Sequence, residues 1–221
     1  EGIKQLEQAG LVNVTDQGFF YYKDQAPDPS TLADLGLERA PQGAAIPGSP
    51  AAGSRPGAPV TVYLDFDGEV LENTLWNQQP SGIESLNFAA ATSVTNQAAV
   101  WAAVAEDYAP FNVNVTTTRP SDDLLYKTSI DDNTYGSHVI ITDSYTDVLP
   151  EADGTGGIAF LGGTGSEFLS GALVFAGTTD GSPKGVAEIA THESGHNFGL
   201  EHDGITGAET GEYYVPEDGV W

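Results

Sequence analysis

A mixed β-sheet layered with helices, an α/β fold, is what the order of patterned segments predicts for this chain. Strand-like runs at residues 60–66, 111–117, 137–142, 157–160 and 172–176 interleave with a helix-periodic stretch at 95–109 and a final helix opening at Ser182-Pro183. The resulting order is β, α, β, β, β, β, α. No internal repeat suggests a solenoid or a propeller.

Residues 1–40 read as a small unit. It has a helix-like start at Ile3 and Leu6, a turn at residues 16–18, the aromatic run Phe19-Phe20-Tyr21-Tyr22 and a short LADLGLER segment. So few of these residues can be buried that the unit is not expected to stand alone. Residues 41–59, PQGAAIPGSPAAGSRPGAP, are almost all Pro, Gly, Ala and Ser with no period that could bury a face, the composition of a linker. Residues 60–221 form the body. It opens with VTVYLDF, which alternates and is β-rich, and which ends at Asp67-Gly68. The polar stretch that follows reads as a loop. In TNQAAVWAAVAEDYA, Val100, Trp101, Val104 and Tyr108 fall on one face at helical spacing, and Pro110 stops the helix. FNVNVTT, SHVIIT and ALVFA are the next strands, with a weaker one inside the glycine-rich residues 154–171. For the last helix Ser182 offers an N-cap and Pro183 a first helical residue, and its pattern runs to Gly199.

Charge narrows the partners. Against 32 Asp+Glu stand 7 Lys+Arg, giving a net charge of −25 and a pI of about 4.1. Polyanions repel such a chain, which argues against nucleic acid and anionic membranes. A hydrophobic fraction of 39% and an aromatic fraction of 10% indicate a folded body rather than a disordered one. There is no cysteine, which excludes disulfides, thiolate zinc sites and cysteine nucleophiles. Bound Ca²⁺ would stabilise a secreted protein in their place and suits the acidic excess; a solvated acidic face is the plain alternative. No apolar run reaches the ~20 residues of a spanning helix. The chain opens at Glu1 without a signal peptide, so a soluble, secreted protein whose export signal has been removed is expected.

The chemistry concentrates in HESGHNFGLEHD, residues 192–203. His192 and His196 are one helical turn apart, so both imidazoles project from one face and can hold one metal ion. Glu193, rotated by about 100° from His192, suits a carboxylate that binds and deprotonates a water at that metal. On a continuous helix His202 would be turned away and too far along the axis to join them. The helix must therefore stop. Gly199 stands where a left-handed turn would reverse the chain and return His202 to the site. Three neutral imidazoles and a water make the open site of a catalytic zinc, whereas a structural zinc is closed by four protein ligands. Two ordinary surface histidines are the plain reading of HExxH alone, but the five fixed residues of HExxHxxGxxH occur by chance on the order of 10⁻⁷ per position. The remaining histidine, His138, lies in a strand and reads as a packed or edge residue.

This string resembles the metzincin clan of zinc endopeptidases, and within it the adamalysin (reprolysin) signature. The order of elements from Val60 to Asp203 is also similar to the metzincin upper subdomain, a mixed sheet with a backing helix and an active-site helix. A cysteine-free chain looks more like the secreted bacterial members. The resemblance implies His192, His196 and His202 as zinc ligands, Glu193 as the base acting on the zinc-bound water, Gly199 as the turn, and proteins or peptides as substrates. Metzincins also carry a methionine turn below the zinc, and this chain has no methionine. Its end, GEYYVPEDGVW, resembles the approach to that turn, which implies a chain stopping short of the lower subdomain.

Other segments suggest further roles. VYLDFDGEV, with Asp65 and Asp67, resembles the nucleophile motif of haloacid-dehalogenase-type phosphatases, with Lys184 a loose counterpart of the required lysine; a strand-end Asp-Gly turn is the alternative. Asp143, Asp147, Glu151 and Asp153 could form a calcium loop without EF-hand spacing, or simply be solvated. Gly157, Ile158, Ala159 and Phe160 sit where the metzincin edge strand lies, and a peptide could pair with that edge main chain to main chain. Residues 1–40 look like the end of a propeptide, the mark of a zymogen. Without cysteine, the plug of a latent form would be a carboxylate such as Asp24, Asp28 or Asp34, or steric filling by residues 19–22.

Overall fold

The computed structural model describes residues 12–25, 53–78 and 81–202. The expected start at Ile3 and Leu6, the LADLGLER segment with Asp28 and Asp34, most of the Pro/Gly-rich stretch and the tail beyond His202 lie outside the described residues. Among those described, the order is β1 (Asn13–Val14), β2 (Phe20–Gln25), β3 (Val60–Asp65), β4 (Glu69–Glu72), α1 (Leu75–Gln78), β5 (Ser85–Phe88), α2 (Gln97–Asp107), β6 (Val113–Thr116), β7 (Tyr135–Thr142), β8 (Thr155–Phe160), β9 (Ala172–Phe175) and α3 (Pro183–Asn197).

Seven strands form one sheet in the order β1-β2-β8-β9-β7-β3-β6. Strands β6, β3, β7 and β9 are mutually parallel, β8 runs antiparallel to β9, and β2 runs antiparallel to β8. The run-like hydrophobicity of the middle strands follows from burial on both faces. Along β7, Val139 and Ile141 enter one core while Ile140 enters the other. Strand β9 divides likewise, with Val174 on one side and Leu173 and Phe175 on the opposite side.

Helices α2 and α3 cover the first face. Val100 and Val104 of α2, with Tyr108 that caps its C-terminus, meet Val186, Ala187 and Ala190 of α3 over Val62, Leu64 and Val115. Helix α2 starts where Asn96 Oδ1 accepts the Ala99 N–H at 3.1 Å, and its half-buried Trp101 donates to the Val115 carbonyl at 2.9 Å. Two further bonds join the helices: Tyr108 to Ser194 between hydroxyls at 2.7 Å, and Thr191 to Asp107 at 2.7 Å. The small residues Ala187, Ala190, Ser194 and Gly195 let α3 lie close to its neighbours.

The second face corrects the expected loop after β3. That stretch is a hairpin, β4 with β5 in the register Leu71↔Leu86, followed in space by α1. Its strands are only four residues long and their alternation is diluted by Glu69, Glu72, Ser85 and Asn87, so the pattern is too brief to register as strands. Trp76 nevertheless is fully buried there and donates to the Gly171 carbonyl at 2.9 Å.

Three other differences bear on the site. The last residues of the expected linker are laid against β6: Ser54 N–H donates to the Val115 carbonyl at 2.9 Å, and Arg55 reaches the carbonyls of Phe111 and Ala109. The turn at residues 16–18 and the aromatic run do form a hairpin, but it joins the main sheet and buries Tyr21 and Tyr22 there. Helix α3 ends at Asn197 rather than Gly199, and Ser182 occupies the N-cap without a side-chain capping bond. Among the described residues no helix is long and apolar enough to cross a membrane.

Candidate metal centre

The last turn of α3 builds the site. His192 and His196 share one helix face, and Phe198 is the C-cap. Gly199 follows in the left-handed conformation, φ +88°. Its N–H donates to the His196 carbonyl at 2.9 Å and that of Leu200 to the Gly195 carbonyl at 3.0 Å, the paired bonds of a Schellman motif. A side chain at Gly199 would have room; it is the positive φ that requires glycine. The reversal brings His202 back. The three Nε2 atoms lie 3.0 Å (His192–His196), 3.1 Å (His192–His202) and 3.1 Å (His196–His202) apart.

These separations suit a metal. Donors at 2.0–2.1 Å from a tetrahedral zinc stand about 3.3 Å from one another. Leu200 also fixes a tautomer: its carbonyl lies 2.7 Å from His196 Nδ1, which must donate, leaving the Nε2 lone pair pointed at the other two rings. Three nitrogens cannot bond one another mutually at this range through neutral imidazoles, whereas a cation satisfies all three. The donor set, imidazole nitrogen with carboxylate oxygen, is that of zinc.

The fourth group is Asp24. Its Oδ1 lies 2.8 Å from His202 Nε2 and 3.2 Å from His192 Nε2, and its Oδ2 lies 3.3 Å from His196 Nε2. Burial opposes the charge on this carboxylate, but the imidazoles gathered around it outweigh burial and hold Asp24 well below the usual carboxylate range. Tyr22, two residues before it, stacks on the His196 ring with centroids 4.4 Å apart.

Glu193 is fully buried beside this cluster. Burial first, then the Asp24 carboxylate next to it, raise its carboxyl well above the ordinary value, so this arrangement favours its protonated form. Gly157 of β8 makes its room. A Cβ there would lie 2.6 Å from Glu193 Cγ and closer still to Oε1, so the glycine is needed for space rather than for backbone freedom. Gly157→Ala should accordingly destabilise the protein by about 1–3 kcal/mol, the range for overpacking a filled site, in urea unfolding. Unchanged stability would show that Glu193 sits elsewhere.

Asn197, with no signature in the sequence, locks the helix end to the sheet. Its Nδ2 donates to the Phe160 carbonyl at 3.0 Å and its Oδ1 accepts from Ser137 Oγ at 2.8 Å. The turn after β8 completes the cap, with the N–H groups of Gly162 and Thr164 donating to the His196 and Asn197 carbonyls. Ile158 and Phe160 enter the second core and Ala159 the first, so this strand is buried through its length. Nor is it an edge in this chain, because β2 pairs along it.

The other sequence candidates lie elsewhere. Asp65 is buried against His138, 3.0 Å from its Nε2, and also accepts the Asp67 N–H; a carboxylate so engaged is poorly placed as a nucleophile. Asp67 is exposed, and Lys184 faces Glu188 in the first turn of α3. His138, buried and stacked on Tyr63, is a core residue. Among the described residues two groups have metal-ligating atoms close together: Asp24 with His192, His196 and His202, and Asp65 with Glu69 and His138. In the second, the Arg119 guanidinium already holds Glu69 at 2.7 Å. Neither group contains Asp143, Asp147, Glu151 or Asp153, so the expected calcium loop is not assembled; Asp143 instead caps Thr92 and Ser93, and Asp147 accepts from the Tyr145 N–H.

A mixed sheet whose final helix and turn converge three imidazoles beside a buried glutamate is a zincin-like fold. The family model Reprolysin_3, described as Metallo-peptidase family M12B Reprolysin-like, matches residues 89–203, more than half of the 221. The chain belongs to this family of zinc-dependent metallopeptidases. No curated protein matches it. No solved structure matches it either.

Proposed function

We propose that this chain is a zinc endopeptidase that cleaves internal bonds of extended protein substrates. The single observation that carries the reading is the convergence of the His192, His196 and His202 Nε2 atoms beside the buried Glu193. These three histidines would hold the zinc, which when bound polarises the scissile carbonyl and lowers the pKa of the attacking water.

The chain's own groups do the rest. Glu193 takes a proton from the attacking water and passes it to the leaving amine as the C–N bond breaks. It can do so only as the anion, a charge that burial opposes first and the Asp24 carboxylate second, so departure of Asp24 from its side would lower the cost of that form. The Leu200 carbonyl keeps His196 in the tautomer that presents Nε2. Asn197 and the Tyr108–Ser194 bond hold the helix that carries the pair. Substrate would take the place of β2 along β8, trading main-chain bonds with residues 157–160. Such an edge reads no chain terminus, which favours internal bonds.

Mass analysis of a casein digest tests this, with an Asp24→Ala variant assayed beside the parent chain because Asp24 stands in the cleft. Peptides from the casein interior, each with a new N-terminus, are expected. Release of terminal residues only, or of nothing from either protein, would overturn the proposal.

A further inference from the structure

We propose that this chain selects substrates with an aromatic side chain on the N-terminal side of the bond to be cut, seated in a slot between Trp76 and Phe160. The inference rests on the peptidase reading above and adds which sequences that site takes.

The pairing of β2 with β8 gives the track and its register. The two strands are antiparallel, with Tyr21↔Phe160, Tyr22↔Ala159, Lys23↔Ile158 and Asp24↔Gly157. The Asp24 level is that of the reacting bond: its Oδ1 lies 2.8 Å from His202 Nε2, and Gly157 opposite packs against Glu193. A substrate on this track therefore puts one residue at the Tyr21 level, three positions before the residue at the Asp24 level. Side chains alternate along a strand, so that residue turns away from the metal and toward the second face of the sheet.

A built slot receives it there. Tyr21 is buried edge-on to Trp76 and Phe160, with centroids 6.0 and 5.7 Å away, a geometry that rings favour over simple apolar contact. The walls are held by the core rather than by their occupant. Trp76 and Phe160 are fully buried with centroids 4.1 Å apart, and the Trp76 indole N–H is fixed to the Gly171 carbonyl. Walls already in place need no ordering when a side chain enters, which strengthens binding.

Charge narrows the choice further. Burial first and the Glu151 carboxylate second raise the Tyr21 hydroxyl above its ordinary range, so the ring stays neutral beside a negative charge. One Glu151 oxygen is buried and makes no hydrogen bond. A substrate carboxylate at this level would lose its water and face a like charge. The slot therefore takes a neutral aromatic ring and rejects an acidic residue.

Host peptides of alanine, serine and lysine test this, each with tyrosine, phenylalanine, alanine or glutamate at one fixed position. They are given to the zinc-loaded Asp24→Ala chain, and the cuts are located by mass. Strand β2 competes with every peptide alike, so ratios within one protein report the slot. Tyrosine and phenylalanine should exceed alanine in kcat/KM by about 10-fold or more, the scale on which hydrophobic pockets discriminate, and glutamate should fall below alanine. The cut should fall at a bond flanking the third residue after the tyrosine, and moving the tyrosine by one position should move the cut with it. Trp76→Leu should lower the tyrosine-to-alanine ratio. Glu151→Gln should raise the glutamate-to-alanine ratio, and it decides the matter if the Trp76 variant does not fold.

Affinity is read separately, by calorimetry on the metal-free chain. Tighter binding of the tyrosine peptide with no cleavage of any peptide would keep the slot and remove the peptidase reading. Equal affinities across the series, no binding at all, or a cut that stays in place when the tyrosine moves would overturn the slot. Cleavage of all four peptides at equal rates would overturn it too, and would leave the peptidase reading standing.

Discussion

Glu193→Gln, made in the Asp24→Ala chain so that the cleft is open, should retain one bound zinc and lose casein cleavage by about 100-fold or more. The magnitude is that of general-base catalysis, 10²–10⁴-fold. Glutamine preserves the volume of a side chain that is fully buried against Gly157, so no cavity is made and the helix is left in place. What it removes is the oxygen that accepts a proton. On the proposed reading the neighbouring imidazoles would hold the zinc, so metal content and rate should separate: the first unchanged, the second collapsed. Near-normal turnover with zinc retained would make Glu193 a packing residue and would move the search for the base elsewhere.

His202→Ala should weaken zinc binding by more than about 100-fold, the upper end of the loss on removing a group that only supports a ligand. The expectation is as strong for His202 as for His192, although the two reach the site by different routes. His192 rides on the helix, while His202 returns only because Gly199 takes φ +88° and the Gly199 and Leu200 N–H groups close the helix end. Competition with a chelating dye would measure both. Equal zinc affinity in His202→Ala and the parent chain would reduce the centre to a two-histidine site and leave the Schellman turn without a role.

Local features of the site were legible in the sequence because their physics is local. The spacing of His192 and His196 is one helical turn, and the need for a chain reversal before His202 points directly at Gly199. The parallel strands were legible too, since burial on both faces makes SHVIIT and ALVFA continuous apolar runs. What pairing across the sheet decides was not. Asp24, Asp28 and Asp34 are equivalent as sequence; Asp24 meets the histidines because Tyr21 seats against Trp76 and Phe160, and alternation then carries residue 24 to the metal side. The Trp76 layer was hidden because a four-residue hairpin rich in polar residues has too short a period to detect. Gly157 did carry a signal, since a glycine pair inside a strand marks close approach of another group, but only the fold shows that the group is Glu193. Asn197 is polar, buried and bonded to residues 37 and 60 positions away, contacts that no local pattern encodes.

The most direct test of the central claim is a zinc titration of the metal-free Asp24→Ala chain, prepared with 1,10-phenanthroline and followed by cleavage of a fluorescent casein. If His192, His196 and His202 hold the one ion that peptide hydrolysis needs, activity should be absent without metal, rise in proportion to added zinc and break at one equivalent. Casein cleavage by the metal-free chain, or none at any zinc level, would contradict it.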